Sequence, residues 1–344
     1  MDIAYKLGYY SAGRVEPLGV IYMVDQRVSK GVGFHDNPCI VSHDEDIDGI
    51  GSAAAVIKIT GTRCVYLTGY FMDKWLQLGK KIRARCREKG AIELLVADLN
   101  PSLEMIDVLD RSLAGCVGKK VIWVDHHVWS GEVLSRVESL GYIETYINRS
   151  MTSTENMINY LGLRENAEMN LIAYLSRDTD YGLYRHPLSE PLTDVIRYSL
   201  YRKSDTGFLI KLARKFSRGI VWDYEIESIW IEAKREKEKA IEDARRSVVM
   251  RNIKGYKALF MLVDPMISSK IAIREAQTSN YDIAFVVYKN GSVTIARGSR
   301  DINCAEIAMR LGGGGHQHIA GAQIGRESVN RGLEYAIKYI SERL

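Results

Sequence analysis

The stretch from Ser42 to Ser52, "SHDEDIDGIGS", places three aspartates at alternate positions directly after the apolar run "NPCIV". Residues at alternate positions of an extended chain point the same way, so Asp44, Asp46 and Asp48 are predicted to converge. Converging carboxylates repel one another unless protons or a cation compensate their charge. The stretch therefore predicts a buried strand that ends in a cation-binding turn, whereas a solvated acidic turn is the alternative.

Two further apolar runs end in acid or histidine, "IELLVAD" at 92–98 and "KKVIWVDHH" at 119–127. Helix-period segments separate the runs, and this alternation predicts an α/β fold with a doubly wound parallel sheet. The carboxyl ends of parallel strands share one edge, which is where such sheets bind ligands. The polar residues expected at this edge are Asp98, Asp125, His126 and His127. A fourth segment, "SRDTDYG", adds Asp178 and Asp180 after a helical pattern.

Carboxylates combined with imidazoles and no nearby thiolate favour Mn²⁺ or Mg²⁺ over zinc. The number of acids exceeds the needs of one ion and suits two ions that share a bridging carboxylate. A two-metal site activates water and stabilises an in-line phosphoryl displacement. The sequence thus predicts two Mn²⁺ per site, with Mg²⁺ as the substitute ion.

The segment "LGGGGHQHIAG" at 311–321 contains four consecutive glycines followed by His316. Glycine backbone N–H groups without side chains can form an anion-binding nest, and a histidine can donate to phosphate oxygen. A plain loop is the alternative. Arg297, ahead of this segment, is a further candidate phosphate contact, or else a surface strand end.

A charge-dense helical pattern between Trp222 and Arg246 separates two α/β-like blocks. After it, strand and helix patterns alternate again, with a hairpin predicted at Asn290-Gly291. We therefore expect three regions: an N-terminal domain at 1–200, a helical connector at 201–249 and a smaller α/β domain at 250–344.

The chain has 344 residues, a formal net charge of +4 and five scattered cysteines without a C-x-x-C pair. This cysteine usage predicts reduced thiols in a cytoplasm and argues against disulfides or a zinc site. The N-terminus lacks the apolar region of a signal peptide, and no apolar run is long enough to span a bilayer. We expect a cytoplasmic protein without a membrane anchor, in which the first ~35 residues have no assigned role.

The motifs "DEDIDG", "VADLNP", "VDHHVW" and "SRDTDYG", in that order, resemble motifs I to IV of the DHH phosphoesterase superfamily. The segment "RLGGGGHQHIAG" resembles the glycine-rich motif of the DHHA1 domain. The spacing is similar to the RecJ-like and oligoribonuclease (nanoRNase)-like branch, and the GGGGH motif argues against the type II inorganic pyrophosphatases. The resemblance implies a DHH domain joined by a helical linker to a DHHA1 domain, with the active site in the cleft between them.

The resemblance also implies roles for individual residues. Asp46 would hold the first metal, Asp48 the second, and Asp98 would bridge both. His126 and Asp178 would complete the second site. The residues expected to act on the substrate or its surroundings are His127 at the scissile phosphate, Asp125 as support for the strand end or for a histidine, and His316 with the backbone of Gly312, Gly313, Gly314 and Gly315 at a phosphate.

One ligand stays open at this point. Many members of the family carry a histidine ahead of the aspartate pair, and here His43 stands three residues before Asp46. Asp44 stands two residues before Asp46, as in the RecJ-like pattern, and is the favoured ligand, with His43 as the alternate. Asp180 is expected to face solvent or to be structural, because Asp178-Thr179 fits the family's fourth motif.

The resemblance implies a metal-dependent exonuclease or oligoribonuclease that hydrolyses single-stranded or short RNA or DNA to nucleoside monophosphates. A phosphodiesterase for cyclic dinucleotides or adenosine 3′,5′-bisphosphate is the second possibility, and a non-catalytic RecJ-like scaffold in a replication or repair complex is the third. Two basic segments either contact the backbone of a single-stranded nucleic acid or form a solvated surface. They are Arg202-Lys203 and residues 211–219. The sequence leaves polarity, RNA against DNA, substrate length, protein partners and a homodimer open.

Overall fold

The N-terminal part of the chain is built around a five-stranded sheet in which all neighbouring strands are parallel. The computed structural model describes residues 38–276 and 280–344. The strands are β1 (Cys39–His43), β2 (Val65–Thr68), β3 (Ala91–Ala97), β4 (Gly118–Asp125) and β5 (Ile143–Ile147). Their order in the sheet is β2-β1-β3-β4-β5, which places β1, β3 and β4 side by side.

Helices cover both faces of this sheet, as the α/β prediction requires. They are α1 (Ile47–Thr60), α2 (Met72–Lys89), α3 (Leu103–Leu113), α4 (Gly131–Leu140), α5 (Ser153–Tyr160), α6 (Ala167–Asp180), α7 (Ser189–Tyr198) and α8 (Thr206–Phe216). In β1, Ile40 packs into the core formed with α1 and α5 to α8, whereas Val41 packs into the core formed with α2 to α4. Because both faces are buried, the strands are continuous apolar runs.

Local sequence signals mark several of these elements correctly. The sequence TSTE at 152–155 has the pattern of a capping box, and the box is present at the start of α5: Thr152 accepts from the backbone N–H of Glu155 and the Glu155 side chain accepts in return. A π-helical turn (Ser199–Lys203) joins α7 to α8, and the charge-dense segment forms the helix α9 (Tyr224–Arg246).

The C-terminal part contains a second, mixed sheet. Its strands are β6 (Val249–Ile253), β7 (Tyr256–Val263), β8 (Ile283–Tyr288), β9 (Ser292–Arg297), β10 (Gly314–Gly315) and β11 (Ile319–Gln323), in the order β10-β11-β9-β8-β7-β6. Its helices are α10 (Ser269–Glu275), α11 (Cys304–Arg310), α12 (Arg326–Asn330) and α13 (Leu333–Ser341). The predicted hairpin at Asn290-Gly291 joins β8 and β9. The domain boundaries at 200 and 249 stay a prediction.

The expectation of five reduced cysteines is wrong. Cys39 is disulfide-bonded to Cys64 and Cys86 to Cys116, whereas the buried Cys304 is free. The first pair directly precedes Ile40 and Val65, which face each other in β1 and β2, so its Cα atoms lie 4.7 Å apart. The pairing follows from tertiary contacts between distant segments, which spacing along the chain did not reveal. The cysteines therefore no longer support a cytoplasmic location.

No helix in the described part of the chain is long and apolar enough to cross a bilayer. The first ~35 residues, to which the sequence assigns no role, lie outside the described residues.

Arg197 in α7 links the acidic turn after β1 to the C-terminal part. Its side chain is buried, and its Nε and Nη2 atoms donate to the carbonyl of Pro265 at 2.9 and 2.5 Å. Its Nη1 lies 3.2 Å from Glu45 Oε2. One guanidinium therefore holds the segment before α10 against the turn that carries the aspartates.

We expect Arg197→Met to lower the free energy of unfolding by about 3 kcal/mol, because it leaves Glu45 and the Pro265 carbonyl without their buried partner. Urea denaturation measures this loss. Arg136→Met is the matched control, since Arg136 pairs with Asp107 and Asp110 at the surface and its loss should change stability far less. Equal losses for the two variants would contradict this role of Arg197.

Candidate active site

The polar residues at the carboxyl edge of the parallel sheet come from three adjacent strands. β1 ends at His43, β3 is followed at once by Asp98, and β4 ends at Asp125 before His126. Since these strands are neighbours, their ends lie together and form a buried polar cluster. The edge predicted from the sequence is therefore present.

The first group of candidate ligands is His43, Asp46 and Asp98. His43 Nδ1 lies 3.2 Å from Asp46 Oδ2 and 3.4 Å from Asp98 Oδ2. Asp46 is the N-cap of α1 and accepts from the Gly49 backbone N–H at 3.0 Å, which fixes its carboxylate. Burial opposes ionisation, but the charge and hydrogen bond of His43 hold the pKa of Asp46 well below its usual range.

The second group is Asp48, Asp98 and His126. His126 Nε2 lies 3.6 Å from Asp48 Oδ2 and 3.5 Å from Asp98 Oδ1. Burial, followed by the charge of Asp98, raises the pKa of Asp48 to about 7. Burial lowers the pKa of His126, but a hydrogen bond to Asp98 and the charge of Asp48 raise it to about 10.

Asp98 belongs to both groups, with one carboxylate oxygen toward His43 and the other toward His126. Its φ of 58° lies in the left-handed region, which non-glycine residues seldom adopt. Such strain persists where the surroundings dictate a geometry, and here it accompanies the side chain that lies between the two groups. The carboxylate is also held by the Ser153 hydroxyl at 3.1 Å.

Asp125 orients His127. Contact with a histidine was one of the two roles expected for Asp125. Asp125 accepts from Trp129 Nε1 at 2.7 Å and lies 2.8 Å from His127 Nδ1. Burial opposes ionisation of Asp125, but the charge and hydrogen bond of His127 hold its pKa well below its usual range. With Nδ1 engaged, Nε2 is the ring nitrogen that His127 can offer to a ligand.

His316 faces this cluster from the C-terminal sheet. Its ring centroid lies 5.0 Å from that of His126 and 5.1 Å from that of His127. Burial, reinforced by the charges of His127 and His126, lowers the pKa of His316 to about 3. His316 is therefore a neutral imidazole beside two histidines whose pKa values are raised.

The glycine run acts differently from the expected open nest. The backbone N–H groups of Gly312 and Gly313 donate to Met309 and Ala308, where they close the end of α11. Space requires glycine at positions 313 and 315. A Cβ at Gly313 would overlap the Gly321 carbonyl, and one at Gly315 would lie 2.8 Å from Ala320 Cα. The run therefore brings His316 close to the cluster, and at least two of its four N–H groups are not available to an anion.

Asp178 and Asp180 both lie in surroundings that differ from those expected. Asp178 accepts from the backbone N–H groups of Arg185 at 3.0 Å and His186 at 2.9 Å, and from the Ser189 hydroxyl at 2.5 Å. Its carboxylate thus fixes the loop after α6 and is not part of the two groups. Asp180, expected to face solvent or to be structural, instead lies 4.0 Å from His126 Nδ1.

The three aspartates of the opening stretch do not all converge. Asp44 pairs with Lys74 at 2.8 Å, and its other carboxylate oxygen, Oδ1, is buried without a hydrogen-bond partner. His43, rather than Asp44, lies against Asp46 and Asp98. β1 ends at His43 and α1 begins at Ile47, so the alternation used for the prediction ends between them.

Arg297 is exposed and forms an ion pair with Asp301, outside the cluster. Other functional candidates were missed in the sequence. Ser153 contacts Asp98, and Lys270 from α10 lies 3.6 Å from Asp180 Oδ1. These contacts join segments distant in sequence, and no local pattern indicated them.

The donor set fits divalent cations. The group of His43 and Asp46 and the group of Asp48 and His126 share Asp98, and the buried His43 Nε2 and Asp44 Oδ1 lack partners among the described residues. Oxygen and imidazole donors suit Mn²⁺ or Mg²⁺. The cluster could thus hold metal, although the identity of the ion does not follow from it.

Comparisons with known proteins identify the architecture. Residues 255–342 match the family model of the DHHA1 domain. No curated protein sequence matches the chain. The DHH domain of a member of a family of ribosomal proteins is similar in structure, with 16% identity, a TM-score of 0.57 and coverage of 89% of this chain and 87% of that one.

An exopolyphosphatase-related protein from Bacteroides fragilis gives 13% identity and a TM-score of 0.50, with 89% and 92% of the two chains covered. A structure of exonuclease RecJ bound to manganese gives 14% identity and a TM-score of 0.45 over 88% and 90%, which is too low to support a conclusion about this chain. The predicted α/β fold with a DHHA1 match at residues 255–342 is confirmed, and the RecJ-like or oligoribonuclease-like branch stays a prediction.

The different surroundings of Asp178 and Asp180 can be tested by a stability measurement. Burial opposes ionisation of Asp178, but its hydrogen bonds from Ser189, His186 and Arg185 lower its pKa from the ordinary 3.8. A lowered pKa gives stability that is present above pH 3.8 and is lost as the pH falls through the folded-state value.

We expect Asp178→Asn to lower the free energy of unfolding by about 2 kcal/mol at pH 7, because the amide N–H groups face backbone donors. The difference from wild type should shrink as the pH falls below 3.8. Thermal unfolding should show that Mn²⁺ still stabilises this variant, whereas Asp180→Asn weakens the Mn²⁺ effect and leaves the metal-free stability nearly unchanged. The reverse pattern would restore Asp178 as the ligand.

Proposed function

We propose that this chain, which combines a DHHA1 domain at residues 255–342 with a fold of the DHH type, is a metal-dependent phosphodiesterase. The observation that carries the proposal is the convergence of two carboxylate–imidazole groups that share Asp98. A buried arrangement of this kind requires compensating cations, and two divalent ions side by side are suited to phosphoryl chemistry. The substrate we favour is single-stranded or short RNA or DNA, cleaved to nucleoside monophosphates.

The proposed ligands follow from the two groups. His43, Asp46 and Asp98 would hold the first ion, and Asp48, Asp98 and His126 the second, with Asp180 beside His126. When bound, the ions would lower the pKa of a water molecule and neutralise charge on the phosphate. Mn²⁺ is the ion we favour, with Mg²⁺ as a substitute.

His127 and His316 are the proposed contacts to the scissile phosphate. Asp125 holds Nδ1 of His127 at 2.8 Å, which leaves Nε2 for a phosphate oxygen. His316 is a neutral imidazole within 5.1 Å, centroid to centroid, of His127. Hydrogen bonds placed beforehand at the position where charge develops stabilise the transition state with little reorganisation.

The proposed activity is tested with purified protein, Mn²⁺ and end-labelled RNA and DNA oligomers of graded length, beside a cyclic dinucleotide. We expect nucleoside monophosphates from the oligomers, and no product when a chelator removes the metal. Asp98→Asn, which keeps the shape of the side chain but removes its charge, should lower the rate roughly 1000-fold or more, since both ions lose a ligand.

Hydrolysis of the cyclic dinucleotide alone would favour the small-nucleotide alternative. Absence of hydrolysis with every substrate, in protein shown to bind Mn²⁺, would favour the non-catalytic scaffold. An Asp98→Asn variant with the wild-type rate would contradict the shared-ligand assignment.

His316→Ala should lower kcat/KM roughly 100-fold, because one preorganised donor to the phosphate is lost. The increase in melting temperature caused by Mn²⁺ should remain that of the wild type. The ring nitrogens of His126, His127 and His316 lie within 4.8 Å of one another, so a metal among the three histidines is the competing role. Loss of the Mn²⁺ effect in this variant would support that competing role.

A further inference from the structure

Two exposed tyrosines lie on one side of α6, at the border of the candidate active site. Tyr174 is 48% exposed and Tyr181, the residue that caps the helix, is 43% exposed. Seven residues are close to two helical turns, so the two side chains start from the same face. Together with His186, whose ring lies 5.9 Å from that of Tyr174, we call these residues the aromatic rim.

The aromatic rim adjoins the buried polar cluster at the end of α6. Tyr181 directly follows Asp180, which lies 4.0 Å from His126 Nδ1. Along α6, Tyr181 is therefore the member of the aromatic rim next to the cluster, while Tyr174 lies further along the helix by about 10 Å.

Tyr181 is held in place by a fixed cation. The Arg177 guanidinium lies 5.2 Å from the Tyr181 ring centroid and forms two hydrogen bonds with Glu155, at 2.7 and 2.6 Å. A ring supported in this way loses little freedom when a base stacks on it. Aromatic side chains of this kind bind bases without sequence preference, because every base has a π-face.

Two exposed cations lie near the aromatic rim in sequence. Of the basic residues in 202–203 and 211–219, four form ion pairs with acids, namely Arg202, Lys203, Lys211 and Lys215. Arg185, four residues after Tyr181, is exposed and has no acidic partner within residues 38–276 and 280–344. The same holds for the exposed Arg149, next to Ser150, whose carbonyl accepts from Arg177.

We propose that the aromatic rim binds the part of a single-stranded nucleic acid that extends beyond the nucleotide at the metal cluster, with bases stacked on Tyr181 and Tyr174. The proposal rests on the phosphodiesterase function above and specifies its substrate class as oligonucleotides rather than dinucleotides. Successive bases of a stacked strand are about 3.4 Å apart, so tyrosines about 10 Å apart are separated by roughly three bases. A dinucleotide is too short to occupy the cluster and both rings.

The test compares a dinucleotide with an octanucleotide, using the full chain with Mn²⁺. We expect the double variant Tyr174→Ala/Tyr181→Ala to lose roughly tenfold or more in kcat/KM on the octanucleotide, mainly through KM, because each stacked base contributes about 1–3 kcal/mol. Its kcat/KM on the dinucleotide should equal that of the wild type. Tyr174→Phe/Tyr181→Phe keeps the rings and should retain the wild-type values on both substrates.

The matched control is Tyr335→Ala in α13. Tyr335 is 37% exposed and carries the Arg331 guanidinium 4.8 Å from its ring, so it reproduces the tyrosine–arginine pair on a different element. This variant should behave as the wild type on both substrates. Equal octanucleotide kinetics in the double alanine variant and the wild type would overturn the proposal, as would an equal loss on both substrates.

Binding provides a second readout that does not need turnover. Fluorescence anisotropy with a labelled octanucleotide should show at least about tenfold weaker binding to the double alanine variant than to the wild type and the Tyr335→Ala control. Unchanged binding would contradict the proposal that the aromatic rim binds nucleic acid. Failure of the wild type to hydrolyse any substrate overturns the proposed function instead, and this separates the two outcomes.

Discussion

The constraint on which the rest of the structure depends is the charge of carboxylates buried at one edge of a parallel sheet. Asp48 and Asp98 are almost fully buried, and Asp46 lies beside them. The chain compensates part of this charge itself: backbone N–H groups of α5 donate to Asp48, His126 lies 3.5 Å from Asp98, and Lys270 lies near Asp180. In the proposed function, two divalent ions would supply the remaining compensation.

The two sheets form one site through a few specific contacts. Arg197 joins the acidic turn to the carbonyl of Pro265, and Lys270 reaches back from α10 to the end of α6. The close approach of β10 and β11, which only glycine allows at Gly313, positions His316 over His126 and His127. A phosphate beside the two groups of candidate ligands would therefore contact imidazoles from both sheets.

The strand ends, the capping box and the hairpin followed from periodicity and local signals, so the doubly wound sheet and its polar edge were predictable. The assignment of individual aspartates was not, because alternate positions share a face only in an extended chain. Asp178 and Asp180 lie in a helix, where two residues differ by about 200°, so one fixes a loop while the other faces His126. Asp44, Asp46 and Asp48 likewise span the end of a strand, an N-cap and a first helical turn. The disulfides depend on tertiary neighbours and left no trace in the spacing of cysteines.

Anomalous diffraction at the manganese edge, from crystals of the full chain grown with Mn²⁺, tests the central claim most directly. The account predicts two peaks per chain, one among His43, Asp46 and Asp98 and one among Asp48, Asp98 and His126, with Asp98 touching both ions. Asp180 would stay on the Nδ1 side of His126, and Asp178 would keep its hydrogen bonds to Arg185 and His186. A single peak, or ions held by Asp44 or Asp178 without Asp98, would contradict the account.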